Sequence, residues 1–539
     1  MRTAAGRVWA KITGFVGVET YIAAFLFLLG ILARVWRFPE YPLGFNQDGA
    51  MGAYDAYALL LTGADRHGVW LPTHLTAWGY GQMSPLLTWL TVPFVAVFGL
   101  GRLAARLPML LVSLGSLWVA FRFAGRLWGR GAALCVLFML AVNPWHIMQS
   151  RWALDCNLLP HFILFACYAL YRAVGRDDRP RSSAGNPYAI TDDRGRSSLH
   201  IQWFYASMIL FALCLYSYGI ALYAVSLLLA GLCVYLLCTG QVAAKHAALG
   251  AAVFFAVCWP VYAMALINHR GWPSLVTPFF TVPYFPDSRR VSDIVFFSEQ
   301  PRAQLWINGG YLWNILRTGD DGLPWNAIPG FGAMYRGVWL LYFPGIWMLW
   351  KKRKGVAIWT GWLAAAILTG FTFNYVNVNR INILFYPLIV LSGLGLHWVG
   401  KLNKYALATV CAGILVLFSL FTAQYFGGHG DRLGQSIFHG FEQAIRFADG
   451  AGTEVVVNGA DRWWDTKEIL TAFHLSLHPD YVRSHAFRER YHSVRPAQVA
   501  PNPGSSTAYI VETWYGTYFD PAHFDVREFG NYAVAVPRT

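Results

Sequence analysis

The sequence predicts a mainly α protein, a polytopic transmembrane helix bundle followed by a small α/β domain. Three observations carry that class. Of 539 residues, 56% are hydrophobic and only 13% are charged, with a mean hydropathy of +0.39, too apolar a composition for a soluble enzyme of this length. The apolar residues are gathered into runs parted by loops that hold most of the basic residues. After Phe426 the hydropathy falls, and short helix-patterned and strand-patterned stretches take over.

The first span covers Tyr21–Trp36. Arg2, Arg7 and Lys11 ahead of it resemble the start of a signal peptide, but no small-residue cleavage site follows, so the run reads as a retained span. Leu86–Phe98 is too short for a crossing that needs about 20 residues and is expected to lie flat in the interface. Spans then follow at Leu103–Phe123, Ala132–Met148, Leu158–Tyr171, Trp203–Tyr218, Ile220–Cys238 and Ala247–Ile267. Gly337–Trp350, Val356–Tyr375, Ile381–Val399 and Tyr405–Phe426 complete about eleven crossings. With a cytoplasmic N-terminus, Arg122, Arg126, Arg130, the Arg172–Arg196 segment, Lys245, Lys351 to Lys354, Lys401 and Lys404 all fall inside, which satisfies the positive-inside bias. Arg34, Arg37, Arg102 and Arg106 stand outside as exceptions. The net charge of +14 therefore reads as topology and anionic-lipid contact rather than nucleic-acid binding. The eight cysteines lie in or beside apolar runs without metal-ligand spacing, and no disulfide framework is implied.

The C-terminal region shows a helical pattern at Phe438–Ala448, a strand at Glu454–Asn458, a helix at Thr466–His474, and strands at Ala508–Glu512 and Tyr532–Val536. Two domains are expected: a transmembrane catalytic domain over 1–427 and an extracytoplasmic α/β domain over 428–539. Asp461, Trp463 and Trp464 after the first strand either bind sugar or pack the domain.

The same parity gathers four segments on the outer side: the Gly44–Pro85 loop, the Asn143–Asn157 turn, the loop from Asn268 to Arg336, and the Asn377–Arg380 junction. Gly44-Phe45-Asn46-Gln47-Asp48-Gly49-Ala50 opens the first of them, which also carries His67 and Tyr80. Asp48 is either a reacting carboxylate or the cap of a helix starting near Gly49. Arg151 and Asp155 are four apart, so on a helix they share a face and form an ion pair. Alternatively Asp155 is a second active-site acid and Arg151 an anion contact; an exposed pair contributes only about 0–1 kcal/mol. Arg380 sits among Asn374, Asn377, Asn379 and Asn382. Its planar donor fork suits phosphate oxygens, against the alternative of a snorkelling interfacial arginine. Arg289, Arg290, Arg302, Trp306, Trp313, Asp320, Asp321 and Trp325 suit a sugar–phosphate cleft or, for the tryptophans, interface anchors. The candidate site is thus Asp48 and Asp155 as catalytic residues, with Arg151, Arg380, His67, Tyr80 and Asn377 binding substrate and no metal ligands. No P-loop, dinucleotide fingerprint or zinc motif is present.

Gln47-Asp48-Gly49, Ser84-Pro85-Leu86-Leu87-Thr88-Trp89-Leu90, Arg102-Leu103-Ala104-Ala105-Arg106-Leu107-Pro108, Arg126-Leu127-Trp128-Gly129 and Ser150-Arg151-Trp152-Ala153-Leu154-Asp155 carry a resemblance. Over residues 20–400 the chain resembles the GT-C fold, bacterial family-39-like membrane glycosyltransferases, relatives of protein O-mannosyltransferases and the lipid A aminoarabinose transferase. The resemblance implies a hexosyl- or pentosyltransferase of the inner or plasma membrane. It would move sugar from a polyprenyl-phosphate donor to an extracytoplasmic glycan, lipid or protein hydroxyl. Asp48 is then the general base of an inverting displacement and Asp155 a second active-site carboxylate. The implied partners are that donor, the acceptor and membrane lipids. No cofactor is implied beyond the lipid-linked donor, and a divalent metal is left open. Two departures stand out: Gly49 follows Asp48 where O-mannosyltransferases have Asp-Glu, and Met83 and Ser84 occupy the region of the aminoarabinose transferase's lysine. The competing functions are a sugar or lipid-carrier transporter (a flippase) and a non-catalytic envelope assembly protein.

Overall fold

The computed structural model describes residues 17–77, 81–174, 199–286, 295, 299–374, 376–429, 433, 436–458, 464–494, 499, 501–515 and 519–538. The bundle opens with α1 (Val18–Val35) and α2 (Gln47–Thr62). A hairpin of β1 (Leu75–Ala77) and β2 (Gly81–Met83) leads into α3 (Leu86–Phe98) and α4 (Arg102–Trp128). Next come α5 (Arg130–Ala141), α6 (Pro144–Gln149), a 3-10 turn at Asp155–Asn157 and α7 (Leu158–Val174). After these come α8 (Ile201–Leu215), α9 (Ala221–Cys238) and α10 (Ala244–Arg270), a second hairpin of β3 (Leu275–Val276) and β4 (Thr281–Val282), and α11 (Pro301–Thr318). The bundle closes with α12 (Tyr342–Lys352), α13 (Val356–Thr372), α14 (Phe385–Leu402) and α15 (Lys404–Tyr425).

Among the described residues, seven stretches are long and apolar enough to cross a membrane: α1, α4, Asp155–Val174, α9, α10, Asn382–Leu402 and α15. Three more expected spans fall on the shorter apolar helices α5, α8 and α13, and the one near Gly337–Trp350 on the 11-residue α12. Leu86–Phe98 is a separate 13-residue helix, as its length predicts. The expected span Ala132–Met148 is broken in two, because Asn143 caps a new helix by accepting the His146 N–H at 2.9 Å while Pro144 opens that helix. α14 is the centre of the bundle, 78% of its apolar window being buried against 11% for α15. Gly393 makes this possible: a side chain there would meet the Val136 Cα of α5 at 2.7 Å.

Of the four arginines that broke the charge pattern, Arg34 and Arg106 are buried, while Arg102 is half-buried and Arg37 exposed. Arg34, in the last turn of α1, is fully buried. It donates to the Gly30, Ala141 and Leu140 carbonyls at 2.7, 3.0 and 2.9 Å and to His146 Nδ1 at 3.0 Å. Arginine only donates, so His146 accepts at Nδ1 and carries its proton on Nε2. That nitrogen faces Ser116 Oγ at 2.9 Å and the Tyr386 hydroxyl at 3.1 Å, and Tyr386 reaches His161 Nδ1 at 2.7 Å. Arg106 of α4, also buried, donates to the Gly44 carbonyl at 2.9 Å and to the Pro39 carbonyl. Arg102 pairs with Glu442 at 2.6 Å, and Arg37 lies over the Tyr41 ring at 4.3 Å. These residues hold the structure together, which is why they do not follow the loop-charge rule.

The C-terminal unit contains α16 (Phe441–Ala451), β5 (Glu454–Asn458), α17 (Trp464–His474), α18 (Pro479–Arg483), α19 (His485–Arg490), β6 (Tyr491–Val494), β7 (Thr507–Glu512), β8 (Phe524–Phe529) and β9 (Tyr532–Pro537). Its sheet order is β6-β5-β7-β9-β8, with β5 parallel to both neighbours and β9 antiparallel to β7 and β8. The two-residue period sends Val455 and Val457 into the core shared with Phe441, Ile445, Leu470 and Phe473. Val456 points to the opposite face, with Tyr509, Val511 and Phe524.

Lys467 joins helix to sheet: its Nζ bonds Glu512 at 2.9 Å and the Tyr532 hydroxyl at 2.6 Å. It also sits 4.8, 5.1 and 4.5 Å from the Phe438, Phe441 and Tyr532 ring centroids. Burial lowers its pKa, and Glu512 opposes that shift. Lys467→Met is expected to destabilise this unit by about 3–5 kcal/mol, because Glu512 is left buried and unpaired. Adding Glu512→Gln should restore part of the lost thermal midpoint, and the absence of any recovery would show that the charge pair is not the cause.

Candidate active site

Asp48 is the second residue of α2, in a first turn where the helix dipole favours a carboxylate. The cap position belongs to Asn46, so Asp48 is not the helix cap. The next residue, Gly49, lies against the chain leading to the Asp155–Asn157 turn: a side chain there would sit 2.8 Å from the Ala153 carbonyl. Gly49 thus permits the close approach that a glutamate, as in Asp-Glu relatives, would block.

Asp155 is 8% exposed and accepts the Cys156 N–H at 2.7 Å and the Ser84 N–H at 3.3 Å. Cys156 lies within electrostatic reach of both Asp155 and Asp48. The fold therefore brings the two expected acids to one place, together with the start of α3. That start is fixed in turn by the Leu86 N–H, which donates to the Tyr216 carbonyl at 3.0 Å. Ser84 enters the site through its backbone, a role no side-chain pattern announces.

Arg151 does not pair with Asp155. The chain from Trp152 to Leu154 is not helical, and Leu154 is extended at φ −132° and ψ 129°, so a spacing of four does not give a shared face. Arg151 is fully buried instead. Its Nη1 donates to the Arg34 carbonyl at 2.5 Å and its guanidinium lies 5.1 Å from the Phe426 ring centroid. Burial lowers its pKa from the ordinary arginine value.

The Asn374–Asn382 junction is tied down at both ends. Asp321 accepts the Val378 N–H at 2.7 Å and the Asn326 amide at 2.6 Å, and burial raises its pKa. Asn377 accepts the Arg380 N–H at 2.9 Å, and Arg380 Nη1 donates to the Asn374 carbonyl at 3.0 Å. Asn382, fully buried, donates to the Cys156 carbonyl at 2.6 Å. This last bond sets the Arg380 junction against the Asp155 turn. In the sequence Asn382 is only one amide among four; its burial singles it out.

His67 is exposed, and its N–H is held by Asp65 at 2.9 Å in the loop beyond the far end of α2. The loop turns back onto the middle of α2, where the Arg66 N–H donates to Asp55 at 3.0 Å, seven residues from Asp48. That loop is pinned by a buried Asp55–Arg66 ion pair, in which burial raises the Asp55 pKa against the pull of Arg66. Tyr80, Arg289, Arg290, Asp461 and Trp463 lie outside the described residues. A cavity lined by His74, Gln82, Ser84, Tyr223, Val261 and Asn268 opens beside Ser84, with polar groups from both the hairpin and α10. Among the described residues, no three His, Cys, Asp or Glu side chains are grouped to hold a metal ion.

A family model described as dolichyl-phosphate-mannose-protein mannosyltransferase matches residues 82–182, the stretch that holds Ser84, Arg151 and Asp155. No curated protein matches. ArnT from Cupriavidus metallidurans bound to undecaprenyl phosphate superposes with a TM-score of 0.55 at 14% identity, over 97% of this chain and 98% of that one. Its apo state gives 0.52 at the same identity and coverage. The Archaeoglobus fulgidus oligosaccharyltransferase in complex with Zn and sulfate gives 0.50 at 15% identity, over 84% of this chain and 61% of that one. At these identities the likeness is one of fold: the chain has the GT-C fold.

Proposed function

We propose that this protein transfers a sugar from a polyprenyl-phosphate donor to a hydroxyl acceptor at the extracytoplasmic face. The observation that carries the proposal is the meeting of Asp48 and Asp155 at the start of α3, beside the Arg380 junction. Asp48 takes the proton of the acceptor hydroxyl. The acceptor oxygen then attacks the anomeric carbon from the side opposite the phosphate, inverting it. The bond from that carbon to the phosphate oxygen breaks, and polyprenyl phosphate leaves with the electron pair. Asp155, which accepts the Cys156 and Ser84 backbone N–H groups, is the second carboxylate facing the sugar. Arg380 presents its planar guanidinium to the phosphate.

The fold likeness to a protein crystallised with undecaprenyl phosphate supports the donor class. Residues 1–427 then form the catalytic domain and 428–539 an extracytoplasmic domain. The transporter reading needs ionisable groups along a path through the bundle. Arg34, His146, His161 and Tyr386 instead bond one another and the backbone near the helix ends that face the acids.

Purified protein in lipid, given a panel of polyprenyl-phosphate sugars, should release polyprenyl phosphate with at least one of them, and release from none would overturn the proposal. Arg380→Ala is expected to raise the donor KM about tenfold or more, the equivalent of losing a charge-assisted hydrogen bond of about 1.5–3 kcal/mol. Arg380→Lys should recover only part of that, since the planar fork is gone. An unchanged donor KM in Arg380→Ala would make Arg380 an interface anchor.

A further inference from the structure

The C-terminal unit grips α2, the helix that carries Asp48, at three points. At its leading end the Phe45 N–H donates to the Ile437 carbonyl at 2.8 Å, and the Phe45 ring stacks on Phe473 of α17 at 4.8 Å between centroids and 11° between planes. Asp48 follows Phe45 by three positions. Midway, the Tyr54 hydroxyl donates to the Leu477 carbonyl at 2.8 Å. Beyond the trailing end, Gly68 approaches the Arg483 guanidinium of α18 so closely that a side chain there would lie 2.8 Å from its Nη1. The Arg102–Glu442 pair ties α16 to the start of α4 on the same side.

Helix α2 can be held this way because of its sequence. Gly49, Ala50, Gly52, Ala53, Ala56 and Ala58 give it small faces, all buried, so neighbouring elements can close on several sides at once. The large side chain nearest Asp48 on the leading side is Phe45, 1% exposed, and its partner Phe473 is 2% exposed. The stack therefore fixes where the first turn of α2 stands relative to the Asp155 turn. A rate that depends on a positioned base falls steeply with misplacement of about 1 Å.

We infer that the C-terminal unit positions the candidate base, acting on Asp48 through the Phe45–Phe473 stack. Phe473 is thus a positioning residue for a reaction whose groups all lie outside its own domain. The inference rests on the transferase proposal for its kinetic reading, but the mechanical coupling stands apart from it.

The test is a double-mutant cycle on the full-length protein. Phe473→Leu is expected to lower kcat about tenfold while leaving the donor KM unchanged, with insertion and thermal midpoint close to the parent's. Phe45→Leu should act alike, and the pair together should cost no more than either alone. In an Asp48→Asn background, Phe473→Leu should add nothing, because the group it positions is gone. Additive losses in that background, or a loss confined to thermal midpoint, would overturn the inference. Hydrogen exchange supplies a readout that needs no activity: amides 46–50 should exchange faster in Phe473→Leu than in the parent. If the parent transfers no sugar, the transferase proposal falls while exchange still decides the coupling, and unchanged exchange would overturn it.

Discussion

Asp48→Asn is expected to insert, purify and melt like the parent protein while losing about 10²-fold or more of its transfer rate. A general base must be ionised and must accept a proton, and an amide does neither. The structure makes the substitution a clean one. Asn46, not Asp48, occupies the cap position, so replacing Asp48 removes no capping bond. The attraction between a carboxylate and the start of α2, which the amide lacks, is only about 0.3–1 kcal/mol. Rate and stability should therefore part company. A folded Asp48→Asn protein with full activity would end the assignment. A variant that fails to fold would point instead to a structural carboxylate, and Asp48→Glu, which keeps the charge, would then recover the fold without restoring rate.

Gly44→Ala should have the largest effect on the architecture. Gly44 has φ +79°, a conformation that costs an L-residue about 1–2 kcal/mol. The added Cβ would also stand 2.2 Å from the Ile437 carbonyl oxygen and 2.9 Å from the His439 nitrogen. Both of those are backbone atoms, so no side-chain rotation relieves the clash. The strand of chain between bundle and C-terminal unit must move away, taking with it the Phe45 bond to Ile437 and the Arg106 bond to the Gly44 carbonyl. The expected result is a thermal midpoint several degrees lower, faster protease cleavage of the C-terminal unit, and a fall in transfer rate that tracks both. Parent-like melting and cleavage would show that the contact at Gly44 is loose.

Much of this was legible in the sequence wherever one residue's chemistry settles its own surroundings. Leu86–Phe98 is short and apolar, and it forms its own helix. Asp48 and Asp155 were placed on one side by counting spans, and the fold brings them together through Gly49 and Ser84. Val455 to Val457 alternate as a strand should. The misses share a cause: they depend on a partner far away in the chain. Arg34 and Arg106 look like loop charges until His146, Gly44 and Pro39 come within reach. Arg151 and Asp155 look like a helical pair until the chain between them proves extended. The stack of Phe45 on Phe473 joins residues hundreds of positions apart, and neither phenylalanine carries a sign of it. Gly44 between an apolar run and Phe45 was the available signal, since a glycine ahead of a helix often marks a close approach of backbone.

The buried guanidinium of Arg34 also constrains the order of biosynthesis. Its helix is made before α5 and α6, yet apart from the Gly30 carbonyl of its own helix its acceptors are Leu140, Ala141 and His146, the last of them 112 residues further along. At ribosomal speeds of about 5–20 residues per second, that interval lasts on the order of ten seconds. During it the nascent helix holds a cation whose acceptors do not yet exist, and a membrane interior tolerates such a group poorly. The first helix must therefore wait at the interface or beside the insertion machinery, its arginine end in water, until α5 and α6 have been made. Only then can the guanidinium be drawn in, so that a helix made ahead of α5 and α6 seats after them.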